Sequence, residues 1–232
     1  MLLPFWIFTD TIELLEVLAI MPTEFGTEIF PLEGWDLKSI TRDEIIASIP
    51  LAPKLQSSPS AWPVHRIISS SVLKYGREVQ LAEARTMQYI SSHTNIPVPA
   101  VIDAWEAEGT TYEDEPNTCY ILMDYVQGQV LQDVWDELGS KAQVHIQAQI
   151  YEYMRALRDL HFETPGPIGG GVCQGALFTG YGAGPFKSAD ELEAWYNGRL
   201  AVCPMFGHPT HIRPGAFSGA FKELVMCHLD VN

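Results

Sequence analysis

A chain of 232 residues is long enough for one large core or for two lobes. With 47% hydrophobic and 19% charged residues and no low-complexity block, it reads as globular, which excludes wholesale disorder. Its 14 basic and 29 acidic residues leave a formal charge of −15, which repels phosphate backbones and argues against nucleic acid as a partner, while suiting a cationic small substrate.

The four cysteines, Cys119, Cys173, Cys203 and Cys227, lie far apart and form no Cys-x-x-Cys pair. Reduced thiols in a cytoplasmic protein fit this pattern better than a disulfide framework or a zinc knuckle. Cys203, His208, His211, Cys227 and His228 match no standard ligand spacing, so no metal site is assigned.

Leu2 to Phe8 resembles a short signal-peptide core, but no Lys or Arg precedes it and Asp10, Glu13 and Glu16 follow at once, so an amphipathic helix over 12–19 is expected instead. No uncharged run approaches the 18 or more residues that a membrane helix needs. A second helical stretch is expected over 43–49. Pro50, Pro53, Pro59 and Pro63 with Ser57, Ser58 and Ser60 mark a linker, and the folded module is expected to begin near Trp62.

From Val64 the chain offers two β-branched runs, 64–68 and 71–75, joined by serines and read as a hairpin ended by Gly76. Residues 78–91 carry Val79, Ala82, Ala84, Met87 and Ile90 at helical spacing. An extended segment over 96–105 and a buried strand over 118–123 follow, separated by an acidic turn. After Gly128 the character becomes helical. A short helix over 131–138 and a long one over 144–161, with Ile146, Ile150, Tyr153, Met154, Leu157 and Leu160 on one face, are expected. The glycines of 166–185 lack the Gly-Lys-Ser/Thr and the strand-to-helix context of a phosphate loop, and read as a structural connection. Ser188 with Glu191 spells a capping box opening a helix through Leu200.

Lys74 on a strand and Glu83 nine residues later on a helix are the pair by which a phosphotransferase holds a cation toward nucleotide phosphates. Farther on, Cys227-His228-Leu229-Asp230 follows an apolar stretch, the way a catalytic loop with a carboxylate base begins. These residues, with Val72-Leu73-Lys74-Tyr75-Gly76, Ile96-Pro97-Val98-Pro99, Tyr120 to Gly128, Leu157-Arg158-Asp159-Leu160-His161 and Gly184-Pro185-Phe186, resemble in order the fungal branch of the aminoglycoside phosphotransferase family, over about residues 62 to 232.

The resemblance implies an α+β, two-lobed, protein-kinase-like fold. It divides into an N-terminal helical extension and linker (1–61), an antiparallel-sheet N-lobe with hinge (62–127) and an incomplete helical C-lobe (128–232). It also implies ATP and Mg²⁺ as cofactors and a small-molecule hydroxyl as phosphoryl acceptor. Lys74 would contact the α/β-phosphates and Glu83 would hold it. Val72 would pack on the base and Met123 would gate its pocket, while the Asp124 C=O and the Val126 N–H would bond the adenine edge through a hinge whose side chains are free to vary. Asp230 would take the hydroxyl proton, with His228 bracing the loop. The nucleotide-covering turn is expected at Ser69-Ser70-Ser71, without glycine.

The family's metal-binding Asn would fall at position 235 and its Mg²⁺-ligating Asp later still; Asn232, two residues past Asp230, is not that ligand. A truncated chain is therefore expected, inactive or weakly active, with apolar C-lobe surface inviting self-association. The alternative is a pseudokinase-like module that binds nucleotide or a protein.

Overall fold

The computed structural model describes residues 7–9, 29–55, 63–77, 79–107, 117–175, 177–178, 182–207, 211–213 and 215–228. In chain order the elements are β1 (Ile7–Thr9), α1 (Arg42–Ser48), β2 (Lys54–Leu55), β3 (Val64–Ile68), β4 (Ser71–Gly76), α2 (Leu81–His93), β5 (Val101–Ala107), β6 (Thr118–Asp124), α3 (Leu131–Val134), α4 (Ser140–Arg158), β7 (His161–Phe162), α5 (Ala189–Val202) and β8 (Leu224–His228). The protein is thus α+β. The helix expected over 12–19, the start at Trp62, most of the acidic turn and Asp230 lie outside the described residues. Among the described residues no helix is long and apolar enough to cross a membrane.

Two compact units emerge: Glu13–Gly139, and Met1–Ile12 with Ser140–Asn232. The first is built on a five-stranded antiparallel sheet of order β2-β3-β4-β6-β5. Period-two alternation sorts its side chains. Leu73 and Leu122 turn to one face, where they join Ile45, Ala52, Ile67, Trp105 and Tyr120 in a continuous apolar cluster. Tyr120 stacks on Trp105 and on Tyr75 at centroid distances of 5.2 and 5.8 Å. Burial raises the pKa of both tyrosines, which suits packing rather than acid-base work.

That face is covered by the segment 29–52, expected as an extension outside the folded module. Thr41 caps α1 by accepting the Glu44 N–H at 3.3 Å, and the Glu44 carboxylate returns the bond to the Thr41 N–H at 2.8 Å. Ile45 and Ala52, on and after this helix, are buried in the cluster. The two-residue strand β2 then adds to β3 through Lys54↔His65 and Leu55↔Val64. Lys54 and Leu55, within the expected linker, are therefore part of the sheet.

Arg42 fastens α1 to β5 with a bidentate pair to Asp103, at 2.8 and 2.9 Å, and its guanidinium lies 5.3 Å from the Trp105 ring centre. The Arg42 hydrogen bond, above all, holds the Asp103 carboxyl below its ordinary 3.8, while partial burial opposes it. A carboxylate depressed in the folded state binds its proton later than in the unfolded chain. It contributes stability above the unfolded value, and that contribution is lost as pH falls through the folded one. Both side chains are more than one-third exposed, so screening keeps the contribution under about 1 kcal/mol. Asp103→Asn should cost that much near neutral pH and progressively less as pH falls below the ordinary 3.8, a trend that urea melts across this range would reveal.

The second unit centres on β8, which pairs parallel with β1 (Ile7↔Met226, Thr9↔His228) and antiparallel with β7 (His161↔Val225). The helix α4 packs on β8 and buries Ile146 and Leu157, while Val144 and Tyr151 stay exposed. It ends at Arg158, three residues before the expected 161, because the Leu160 carbonyl accepts the Met226 N–H at 3.0 Å and the chain turns into β7.

Ser188 accepts the Glu191 N–H at the start of α5, but the Glu191 carboxylate bonds the Lys187 N–H, at 2.7 Å, so the expected box closes one residue upstream. Rings of Phe178, Trp195, Tyr196, Phe217 and Phe221 pack along this helix. Burial there, aided by nearby Cys173, pushes the Tyr196 phenol up to about 12. In the glycine-rich connection, Cys173 and Ala183 exchange two backbone hydrogen bonds of 2.8 Å. Gly182 has φ +76°, and a Cβ on it would stand 2.8 Å from the Cys173 oxygen. Close approach of two chain segments, and no phosphate, accounts for that glycine.

Candidate functional site

The central strand β4 places Val72 and Lys74 on the face opposite Leu73. The partner strand β6 sets Met123 across from Val72 and Ile121 across from Lys74. All four are buried, with Ile121 at 0% and Lys74 at 6% exposure. A buried ammonium needs an anion, because its desolvation is otherwise too costly to sustain.

Glu83 supplies that anion. It lies in the first turn of α2, where the helix dipole favours a carboxylate. α2 packs on β5 and β6 through Ala84, Met87 and Ile90, which bury one stripe of the helix and so aim Glu83 at the sheet. The Lys74 Nζ donates to Glu83 Oε1 at 2.7 Å, and both side chains are 8% exposed. α2 begins three residues after the expected start, since Val79 is buried before the helix and Gln80 is extended at its N-cap.

β6 runs out at Asp124, whose side chain is exposed and whose N–H donates to the Ala100 oxygen at 3.0 Å. The Tyr125 N–H donates to the Ser70 oxygen at 2.8 Å. Val126 follows, half-buried, and among the described residues no group accepts its N–H. The sequence-expected set Val72, Lys74, Glu83, Met123, Asp124 and Val126 therefore falls within one unit, along two neighbouring strands and the helix between β4 and β5.

Two expectations change. The Tyr125 side chain is not free to vary, since the Arg66 guanidinium lies 3.8 Å from its ring centre. The serine turn joins β3 to β4 and is bonded to the backbone just past β6; because β2 precedes β3, the first connection of the sheet is 56–62, outside the described residues. No local pattern announces β2, a two-residue strand between prolines.

Residues that sequence reasoning missed gather at the serine turn. Arg66, 7% exposed, lies over the rings of Phe30 and Tyr125, at 4.7 and 3.8 Å from their centres. Its Nε donates to the Ser69 oxygen at 3.1 Å and Nη2 donates to the same atom. The Glu33 carboxylate accepts the Ser69 N–H at 2.6 Å and the hydroxyl at 2.7 Å, and these bonds hold its pKa down. An Arg inside the β-branched run 64–68 was the one available signal.

His228 is the last residue of β8, in register with Thr9, in the other unit. Asp230 lies outside the described residues. Among the described residues, no group of three or more His, Cys, Asp or Glu is placed to hold a metal ion. Burial, reinforced by Glu106, raises the pKa of the Cys119 thiol, which disfavours a thiolate nucleophile there.

No protein-family model matches the chain, and no solved structure matches it. Among curated proteins it is similar to two subtelomeric hrmA-associated cluster proteins from strains of Aspergillus fumigatus, each 30% identical over 125 residues, or 54% of this chain. The match spans 20% of the length of these relatives.

Proposed function

We propose that this chain contributes the nucleotide-holding lobe of an ATP-dependent phosphotransferase of the kinase-like, aminoglycoside phosphotransferase type, acting on a small-molecule hydroxyl in the cytoplasm. The buried 2.7 Å pair between a central-strand Lys74 and the helix-borne Glu83 carries the reading. A lysine placed only for solubility sits on an exposed edge, whereas this one is drawn inward on the face that also carries Val72 and Met123. The strand order β2-β3-β4-β6-β5, with a helix between β4 and β5, supports the same architecture. The wide sequence separation of Cys119, Cys173, Cys203 and Cys227 suits a reducing compartment.

In this reading the Lys74 ammonium draws the phosphate oxygens, and Glu83 keeps it from swinging away. Val72 and Met123 cover the base, and the Val126 N–H bonds its edge. The reaction assigned is attack of the substrate hydroxyl on the γ-phosphorus with cleavage of the bond to the β-phosphate bridging oxygen; Asp230, which the resemblance makes the acceptor of the hydroxyl proton, lies outside the described residues. A ligand that binds only the folded state raises its stability, by about 2.7 kcal/mol at a hundredfold excess over Kd. ATP should therefore raise the melting temperature of the full chain in a concentration-dependent way. A melting curve indifferent to ATP would overturn the proposal.

A further inference from the structure

The nucleotide reading leaves the cluster around Ser69 unused. A guanidinium buried to 7% exposure is costly, and an apolar side chain against two aromatic rings would stabilise the fold as well or better. What a planar cation adds is position. It fixes the stacked rings and, through its N–H groups, one chosen carbonyl.

Here the chosen carbonyl is that of Ser69, whose N–H and hydroxyl are held by Glu33. The next carbonyl, of Ser70, accepts the Tyr125 N–H, and the Tyr125 ring stacks under Arg66. Both backbone and side chain of Tyr125 are thus gripped, one residue before Val126 and one after Asp124. Phe30 and Glu33 tie the grip to a segment more than 30 residues away from the turn.

We propose that Phe30, Glu33, Arg66 and Tyr125 form a latch that presets the 124–126 backbone for the purine base, making Arg66 and Glu33 positioning residues for the base end of the nucleotide. This rests on the nucleotide reading. A preset hinge binds more tightly because less ordering is left to the ligand. Loosening it weakens contacts to the base and leaves the Lys74 end alone.

The test is isothermal titration of the full chain with ATP, adenosine and tripolyphosphate, without added metal. Glu33→Ala, Tyr125→Leu and Arg66→Met are compared with the wild type after each is shown to melt cooperatively. Should Arg66→Met fail to fold, the other two variants carry the comparison. The latch predicts adenosine and ATP affinity lowered about fivefold or more, with tripolyphosphate within about twofold. Lys74→Met should do the reverse, losing tripolyphosphate and keeping adenosine. If the wild type binds ATP but folded latch variants keep their adenosine and ATP affinities, or lose tripolyphosphate equally, the latch is refuted and the nucleotide reading stands. A wild type that binds neither adenosine nor ATP refutes both.

Discussion

Lys74→Met lowers stability by about 3–5 kcal/mol, because it leaves the Glu83 carboxylate buried without its cation. The size of the loss follows from burial. Both side chains are 8% exposed, so water cannot replace the missing partner. Lys74→Met with Glu83→Leu should recover most of that stability, since an apolar pair of similar volume tolerates burial as well as an ion pair does. ATP-dependent stabilisation should stay weakened in the double variant, because only the base end of the nucleotide is still held. Chemical denaturation with and without ATP therefore separates what the pair does for folding from what it does for the nucleotide. A double variant that regains both stability and the ATP response would make the pair purely structural.

Leu73→Ala should cost about 2–5 kcal/mol, the range for removing a fully enclosed leucine, because Leu73 is 0% exposed on the opposite face of the same strand. Its neighbours, Ile67, Tyr120 and Leu122, belong to the cluster roofed by α1. The ATP-induced shift should persist in this variant, since none of the proposed nucleotide contacts lies on that face. Adjacent positions on one strand thus give losses of similar size with opposite effects on ligand response. Urea melts report the first, and melts with ATP report the second. An ATP response abolished by Leu73→Ala would argue that the two faces are not independent.

The core of the sheet was legible because its strands are β-branched or continuously apolar runs bounded by turn residues. The β-branched runs at 64–68 and 71–75, and the apolar run ending in Met123, lie where β3, β4 and β6 do. The Lys74–Glu83 pairing was legible for a related reason, since one strand and the following helix bring residues nine apart together. Contacts between distant segments leave no such trace. Glu33 meets Ser69 across 36 residues, and Arg42 meets Asp103 across 61. Neither pairing can be read from spacing. The end of α4 was misjudged because Leu160 continues the apolar stripe, while the competing bond from Met226 that turns the chain is far away in sequence.

The strand order of the second unit bears on how the chain acquires its structure during synthesis. The sheet unit is continuous, so it can fold once residue 139 has emerged. The pairing of β1 must wait until β8, the partner of both β1 and β7, leaves the ribosome more than 200 residues later. A contact of such sequence separation is slow to form, and the β1 edge stays exposed throughout the wait. The first unit would thus mature as an insertion inside the second, and any assistance from chaperones would fall on the waiting strand β1 rather than on the sheet that carries Lys74.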